Sequence, residues 1–237
     1  MLLAIFLENI TKTMYTFYRI FLKGVLHIMD LNSTFITILN YDLSYLEFLV
    51  TLSGILNVYL LAKIKVSNYF WGIINVILSL FICYNVRMYS TMALQLYYLI
   101  MNIYGLWTWT RNSDTDDELK ITANSKIYNL KALVISFFCF IALGFFLKNI
   151  HTVLPMLFRE PESSPFVDSF ITTLNIVAMY FMANKKIDHW YLWFIADFVS
   201  AIVFFVKDVK FVALQYLVFL FFAILGYIEW KKELEKA

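Results

Sequence analysis

Seven stretches of about twenty residues, each nearly free of charge, follow one another along this chain: 43–63, 66–86, 88–110, 130–148, 166–184, 189–206 and 211–230. A helix rises about 1.5 Å per residue, so each stretch matches the roughly 30 Å of hydrocarbon in a bilayer. Backbone N–H and C=O groups in that layer must be satisfied within the segment, which leaves the α-helix as the form an isolated apolar stretch can take. Composition agrees, with 62% hydrophobic and only 15% charged residues among the 237 positions, far outside the range of a soluble domain. The expectation is an all-α membrane protein with seven transmembrane helices.

Residues 2–28 are different. Glu8, Lys12, Arg19 and Lys23 fall on one helical face, opposite Leu3, Phe6, Ile10, Phe17 and Phe21, the pattern of an amphipathic helix lying in the headgroup plane. A spanning helix with its charged stripe against the bundle stays open as the alternative. Asp30 to Tyr41 reads as a polar connection. The net charge of +2 and the lack of a basic stripe give no footing for nucleic acid. Cys83 and Cys139 lie in apolar runs and read as small core residues without a disulfide. No zinc, serine-hydrolase or P-loop motif occurs, and no cofactor is called for.

The sixth stretch carries the most informative residues. Within HWYLWFIADFVSAIVFFV stands one carboxylate, Asp197. An Asp at the centre of a span costs about 2.5–3.5 kcal/mol on insertion scales, so it should face protein or a wet cavity. At about 100° per residue, Trp190, Trp193 and Asp197 share one face, which continues into Ser200 and Ala201. Flat electron-rich walls beside a negative charge suit a planar organic cation. The plainer reading places tryptophans near a helix end in the interfacial aromatic belt.

An internal repeat points the same way. At a shift of 122 residues, 51–75 lies without gaps over 173–197, matching Lys63 with Lys185, Tyr69 with Tyr191, Trp71 with Trp193, and setting Asn75 opposite Asp197. Further on, Gly105 meets Gly226 and Trp109 meets Trp230 after a small adjustment. Three helices per copy and one between them put both copies in the same orientation, with the site between halves near the midplane. In the third stretch Gln95, Asn102 and Trp109 recur every seven residues with Tyr98 nearby. Their amides suit hydroxyls or a carboxamide, or serve merely as interhelical glue. Gln215, the mate of Gln95, is a weaker candidate. Glu47 and Asp168 read as interface residues favoured by the helix dipole.

The segments WGIINVILSLFICYNVRMYSTMALQLYYLIMNIYGLWTW (71–109), WYLWFIAD (190–197) and VALQYLVFLFFAILGYIEWKK (212–232) resemble the PnuC-type vitamin transporters, whose best-known members carry nicotinamide riboside. The likeness runs over residues 43–232. It implies two parallel three-helix repeats joined by a linker helix, like the sugar-carrying SWEET proteins. It also implies passive facilitated uptake into a bacterium across the inner membrane and trapping by a cytoplasmic kinase. By position, Trp190, Trp193, Asp197, Gln95 and Asn102 inherit the vitamin site, with Asn75 and Tyr98 added from the repeat and the stripe. Many members carry Asn where Asp197 stands, so thiamine or another B vitamin stays open beside nicotinamide riboside.

The expected organisation is residues 1–42 as amphipathic helix and connection, 43–111 as first repeat, 112–164 as linker with the fourth helix, 165–232 as second repeat and 233–237 as tail. Eleven of the 19 lysines and arginines fall on the side of the carboxyl terminus, which the positive-inside rule places in the cytoplasm. The expected partners are a small-molecule vitamin and the bilayer, with further copies of the chain left open. The mechanism expected is alternating access. The competing class is a membrane-embedded enzyme, for which the spans offer no nucleophile–base pair.

Overall fold

The computed structural model describes residues 31–85, 89–111, 119–155, 158 and 164–236. The expected amphipathic helix at 2–28 lies outside the described residues.

The chain divides at Phe48 and Leu49 into two units. In the first, the stretch expected as a plain connection contains a β-hairpin. Strands β1 (Thr34–Ile38) and β2 (Tyr41–Ser44) pair antiparallel, Ile38 opposite Tyr41 and Thr37 opposite Asp42. The reversal falls on Leu39 and Asn40, both at positive φ (51° and 61°), the backbone of a tight two-residue hairpin turn. Ser44 then opens helix α1 (Tyr45–Ala62) with a capping box: its Oγ accepts from Glu47 N–H (3.2 Å), and Glu47 accepts in return from Ser44 N–H (2.9 Å). Tyr41 donates to the same carboxylate at 2.6 Å. Burial, together with that acceptor and its charge, pushes the Tyr41 phenol up to about 12.

The second unit holds the rest of α1 and seven further helices among the described residues: α2 (Asn68–Asn85), α3 (Tyr89–Thr110), α4 (Lys126–Lys148), α5 (Ile150–Val153), α6 (Pro165–Ala183), α7 (His189–Val206) and α8 (Lys210–Leu234). Helices α1, α4, α6, α7 and α8 are long and apolar enough to cross a membrane. Their outer faces carry large apolar side chains in the open; on α4, Leu133, Ile135 and Phe138 are all exposed, as a lipid-facing surface requires. Cys139 belongs to that surface rather than to the core as expected, because α4 rests mainly on α6 and turns its other sides outward. Cys83 is buried.

Helices α2 and α3 run side by side, as do α7 and α8, and α3 meets α6 across the middle. Two helical hairpins then repeat the same geometry. The α1–α2 turn has Ile64 at φ 57°, the α6–α7 turn has Lys185 at φ 48°. Lys65 N–H bonds Leu60 O and Lys186 N–H bonds Phe181 O, both at 2.9 Å. Asn68 Nδ2 donates to Lys65 O (2.6 Å), and His189 Nδ1 donates to Lys186 O (2.7 Å). Each pair is offset by 121 residues (Ile64 to Lys185), not the 122 expected. Identical residue types favoured the longer shift; the left-handed turn residues fix the frame. Tyr69 therefore matches Trp190, and Asn75 stands opposite Ala196 rather than Asp197.

The same offset governs the close contacts. Gly105 lies so near the Tyr69 ring, and Gly226 so near the Trp190 ring, that a Cβ at either would land inside the aromatic side chain. At this end the two sets of helices exchange ties. Trp109 Nε1 of α3 donates to Met182 O of α6 (3.3 Å), and Trp230 Nε1 of α8 donates to Leu61 O of α1 (2.9 Å). The two indoles meet at 5.8 Å and both are buried.

One of the two turns carries an extra layer. Thr122 N–H bonds Lys185 O (3.1 Å) and Ile187 N–H bonds Thr122 O (3.0 Å). Asp188 accepts from Asn124 N–H (2.8 Å) and Asn129 Nδ2 (2.7 Å). The segment 119–125 is thereby strapped over the α6–α7 turn, with Ile121 buried in the core beneath.

Candidate functional site

Apolar helices of this length bury their polar residues against one another or against a wet space, and here they do both. A cavity of about 220 Å³ lies between the helices of the second unit, lined by residues of α1, α2, α3, α6, α7 and α8. Of the residues expected at a site, Trp190, Trp193, Asp197, Asn102, Asn75 and Tyr98 all line it. Gln95 does not: one turn before Tyr98, its Oε1 is buried with no protein partner. Trp109, on the same expected stripe, belongs to the exchanged indole pair instead.

Asp197 is half-buried and faces this space. Tyr98 and Tyr216 are its charge neighbours. No lysine or arginine occurs among the described residues lining the cavity, so the carboxylate is the one formal charge of that wall. Beside it the indoles do not stand as parallel plates. Trp190 and Trp193 meet edge to face at 5.8 Å and 72°. Trp190 is sealed into the core under Trp230 and His189, whereas Trp193 is half-buried. A flat ring in the cavity therefore meets one half-buried indole and one buried indole set at a steep angle to it.

The amides in the wall share a bias. Asn57 Nδ2 donates to Asn68 O (2.7 Å), Asn75 Nδ2 to Val50 O (2.7 Å), Asn102 Nδ2 to Tyr98 O (2.8 Å) and Asn175 Nδ2 to Ile171 O (2.9 Å). A backbone carbonyl can only accept, so each bond fixes which end of the amide is the nitrogen. Each amide keeps its carbonyl oxygen, and all but Asn75, whose Nδ2 also donates to Ser53 Oγ (3.2 Å), keep a second N–H as well. Gly72 brings two of these side chains together: a Cβ there would collide with Asn102 Oδ1 and Asn57 Nδ2. With Asp197 as its one charge, the wall suits a ligand that is positive in charge and carries hydrogen-bonding groups for the amides.

Asn57, Asn175, Gly72 and Tyr216 were not singled out from the sequence. Asn57 and Asn175 carry the same sequence signal as Asn102, an amide inside an apolar stretch.

The chain matches the family described as nicotinamide mononucleotide transporter over residues 44–232. It is 32% identical over 209 residues to the nicotinamide riboside transporter PnuC of Escherichia coli (strain K12), covering 80% of this chain and 86% of that protein. It is 24% identical over 196 residues to the nicotinamide riboside transporter PnuC of Neisseria mucosa, covering 80% and 73%. In fold it is similar to the crystal structure of the vitamin B3 transporter PnuC, with a TM-score of 0.61 and 23% identity over 81% of this chain and 83% of that one.

Proposed function

The chain belongs to the nicotinamide mononucleotide transporter family, and from that premise we propose that it carries nicotinamide riboside across a bacterial inner membrane. The observation that supports the choice of substrate is the chemistry of the wall: one carboxylate, four asparagine amides, a half-buried indole and no lysine or arginine among the described lining residues. The riboside supplies a flat pyridinium for Trp193 and Asp197, and hydroxyl and carboxamide hydrogens for the asparagines. The mononucleotide adds an anionic phosphate, which would face a carboxylate and no lysine or arginine among the described lining residues. The family's description names the mononucleotide, the relatives' names the riboside; the wall supports the second.

In this reading Trp193, Asp197, Asn102, Asn75 and Tyr98 touch the substrate, Trp190 backs Trp193, and Gln95 acts from behind the wall. The seven long helices are the seven spans, α1–α3 and α6–α8 the two parallel repeats and α4 the linker helix. The halves rock about the cavity in alternating access, the lysine-bearing turns face the cytoplasm, and a kinase inside traps the vitamin. The chain alone supports facilitated movement down a gradient.

Counterflow tests it. Liposomes loaded with unlabelled nicotinamide riboside should accumulate the labelled riboside saturably, and the mononucleotide, nicotinamide and thiamine should compete poorly. Equal competition by the mononucleotide would remove the argument from the wall, and recovery of a chemically altered product would replace the carrier with an enzyme.

A further inference from the structure

Just beyond the cavity, toward the end where the tryptophans exchange bonds, lie two side chains that hold the same place in the two halves. Asn68 and His189 are both fully buried, and each donates to the carbonyl three residues before it. Each is left with one acceptor that has no protein partner, Asn68 Oδ1 and His189 Nε2. The residue after each adds a second sealed polar atom in the same condition, Tyr69 Oη and Trp190 Nε1.

A buried donor or acceptor left unmade is costly, and native cores hold few of them. Four in one layer, two per half at matching positions, are therefore a feature of the design rather than scattered packing faults. The layer also adjoins the cavity. Asn57, in the wall, donates to the Asn68 carbonyl, Trp190 lines the cavity itself, and the His189 ring contacts Trp190 at 4.5 Å and Trp193 at 5.1 Å. On its other side come the turns bearing Lys63, Lys65, Lys185 and Lys186.

We propose that Asn68, Tyr69, His189 and Trp190 are the sheathed lining of the passage from the cavity to the lysine-bearing face, and that the described conformation is the one closed on that side. The inference rests on the carrier reading. When the halves part at this end, the four groups meet water or the hydroxyls of the passing substrate, and the cost of holding them bare is relieved. An apolar seal would have no such relief and would hold the closed state more firmly. A carrier has to leave each conformer within a turnover, which requires the two to be close in free energy.

The test uses thiol labelling. In a Cys83→Ser, Cys139→Ser background, Asn68→Cys and His189→Cys are made singly, reconstituted, and exposed to a membrane-impermeant maleimide from each side. Labelling is expected from one side only, at a rate that saturating nicotinamide riboside changes, while Ser169→Cys, buried elsewhere in α6, stays unlabelled. Absence of labelling at both positions from both sides, in protein that still performs counterflow, overturns the proposal.

Should the cysteine variants fail to fold, a second pair decides. His189→Asn, which installs the residue of its mate, should keep counterflow within about threefold, whereas His189→Leu should slow it by about tenfold with Kd changed less than about twofold. Wild-type exchange in the leucine variant overturns the proposal, as does equal loss of binding and exchange. A wild-type protein that moves no vitamin defeats the carrier reading itself; labelling in the absence of substrate still reports whether the layer opens.

Discussion

Where the first half of the molecule places Asn57, Gly72 and Asn102, the second half places Ala178, Trp193 and Ala223, each 121 residues on. The first half puts its volume into two amides and leaves a glycine between them, onto which both amides crowd. The second half puts its volume into one indole and leaves two alanines beside it. Asp197 likewise stands where the first half has Val76. Away from the cavity the halves agree, from the left-handed turns to the tryptophan ties. A near-twofold frame thus carries an uneven site: Asn57, Asn75 and Asn102 on one flank, and the charge and aromatic ring with only Asn175 on the other. In the proposed reading, the two ends of a substrate with a cationic ring and hydroxyls meet these flanks unequally.

The largest effect that sharpens this contrast comes from the charge. Asp197→Ala should weaken riboside binding about 100-fold by calorimetry and Asp197→Asn about tenfold, the scale of losing a charge-assisted contact or only its charge; full affinity in the alanine variant would make the two flanks equivalent. Next, Gly72→Ala should lower thermal stability by about 1–3 kcal/mol through overpacking against both asparagines, while alanine at Trp193 should leave the fold intact. That substitution, Trp193→Ala, should cost about 0.5–2 kcal/mol of binding, with Trp193→Phe recovering part of it, as a cation–π contact does; equal binding by the alanine variant would assign the ring elsewhere. Smallest, and aimed at the agreement rather than the difference, Trp109→Phe and Trp230→Phe should each lower stability by about 1 kcal/mol, one hydrogen bond apiece. Clearly unequal melting shifts would break the symmetry of that end.

Length and charge made the helices legible. The stretch 189–206 begins and ends on the same residues as α7, and 66–86 brackets α2 within a few residues, because a segment that must satisfy its own backbone in lipid leaves few alternatives. The Trp190, Trp193 and Asp197 face was legible for the same reason. Register was not: Lys63 with Lys185 and Tyr69 with Tyr191 are good matches by type, yet the frame is set by Ile64 and Lys185 at positive φ, and an ordinary residue at such a position leaves no mark in the sequence. Gln95 and Asn57 show the remaining gap. Both are amides within apolar runs, and which of them reaches the cavity depends on how α1 and α3 are rotated by their neighbours. The hairpin around Leu39 and Asn40 was hidden by its polar setting, although the alternation in TFITI was there to be read.

The crossed indole bonds have the form of a symmetric interface. Trp109 reaches the carbonyl of Met182 while Trp230 reaches that of Leu61, so each half completes the other by the same reciprocal handshake that two identical chains make around a twofold axis. One polypeptide thereby holds within itself the kind of reciprocal interface that a homodimer makes between two. Because both partners lie in one chain, each position can differ from its mate, and an aspartate and an indole stand on one side where the other has Val76 and Gly72.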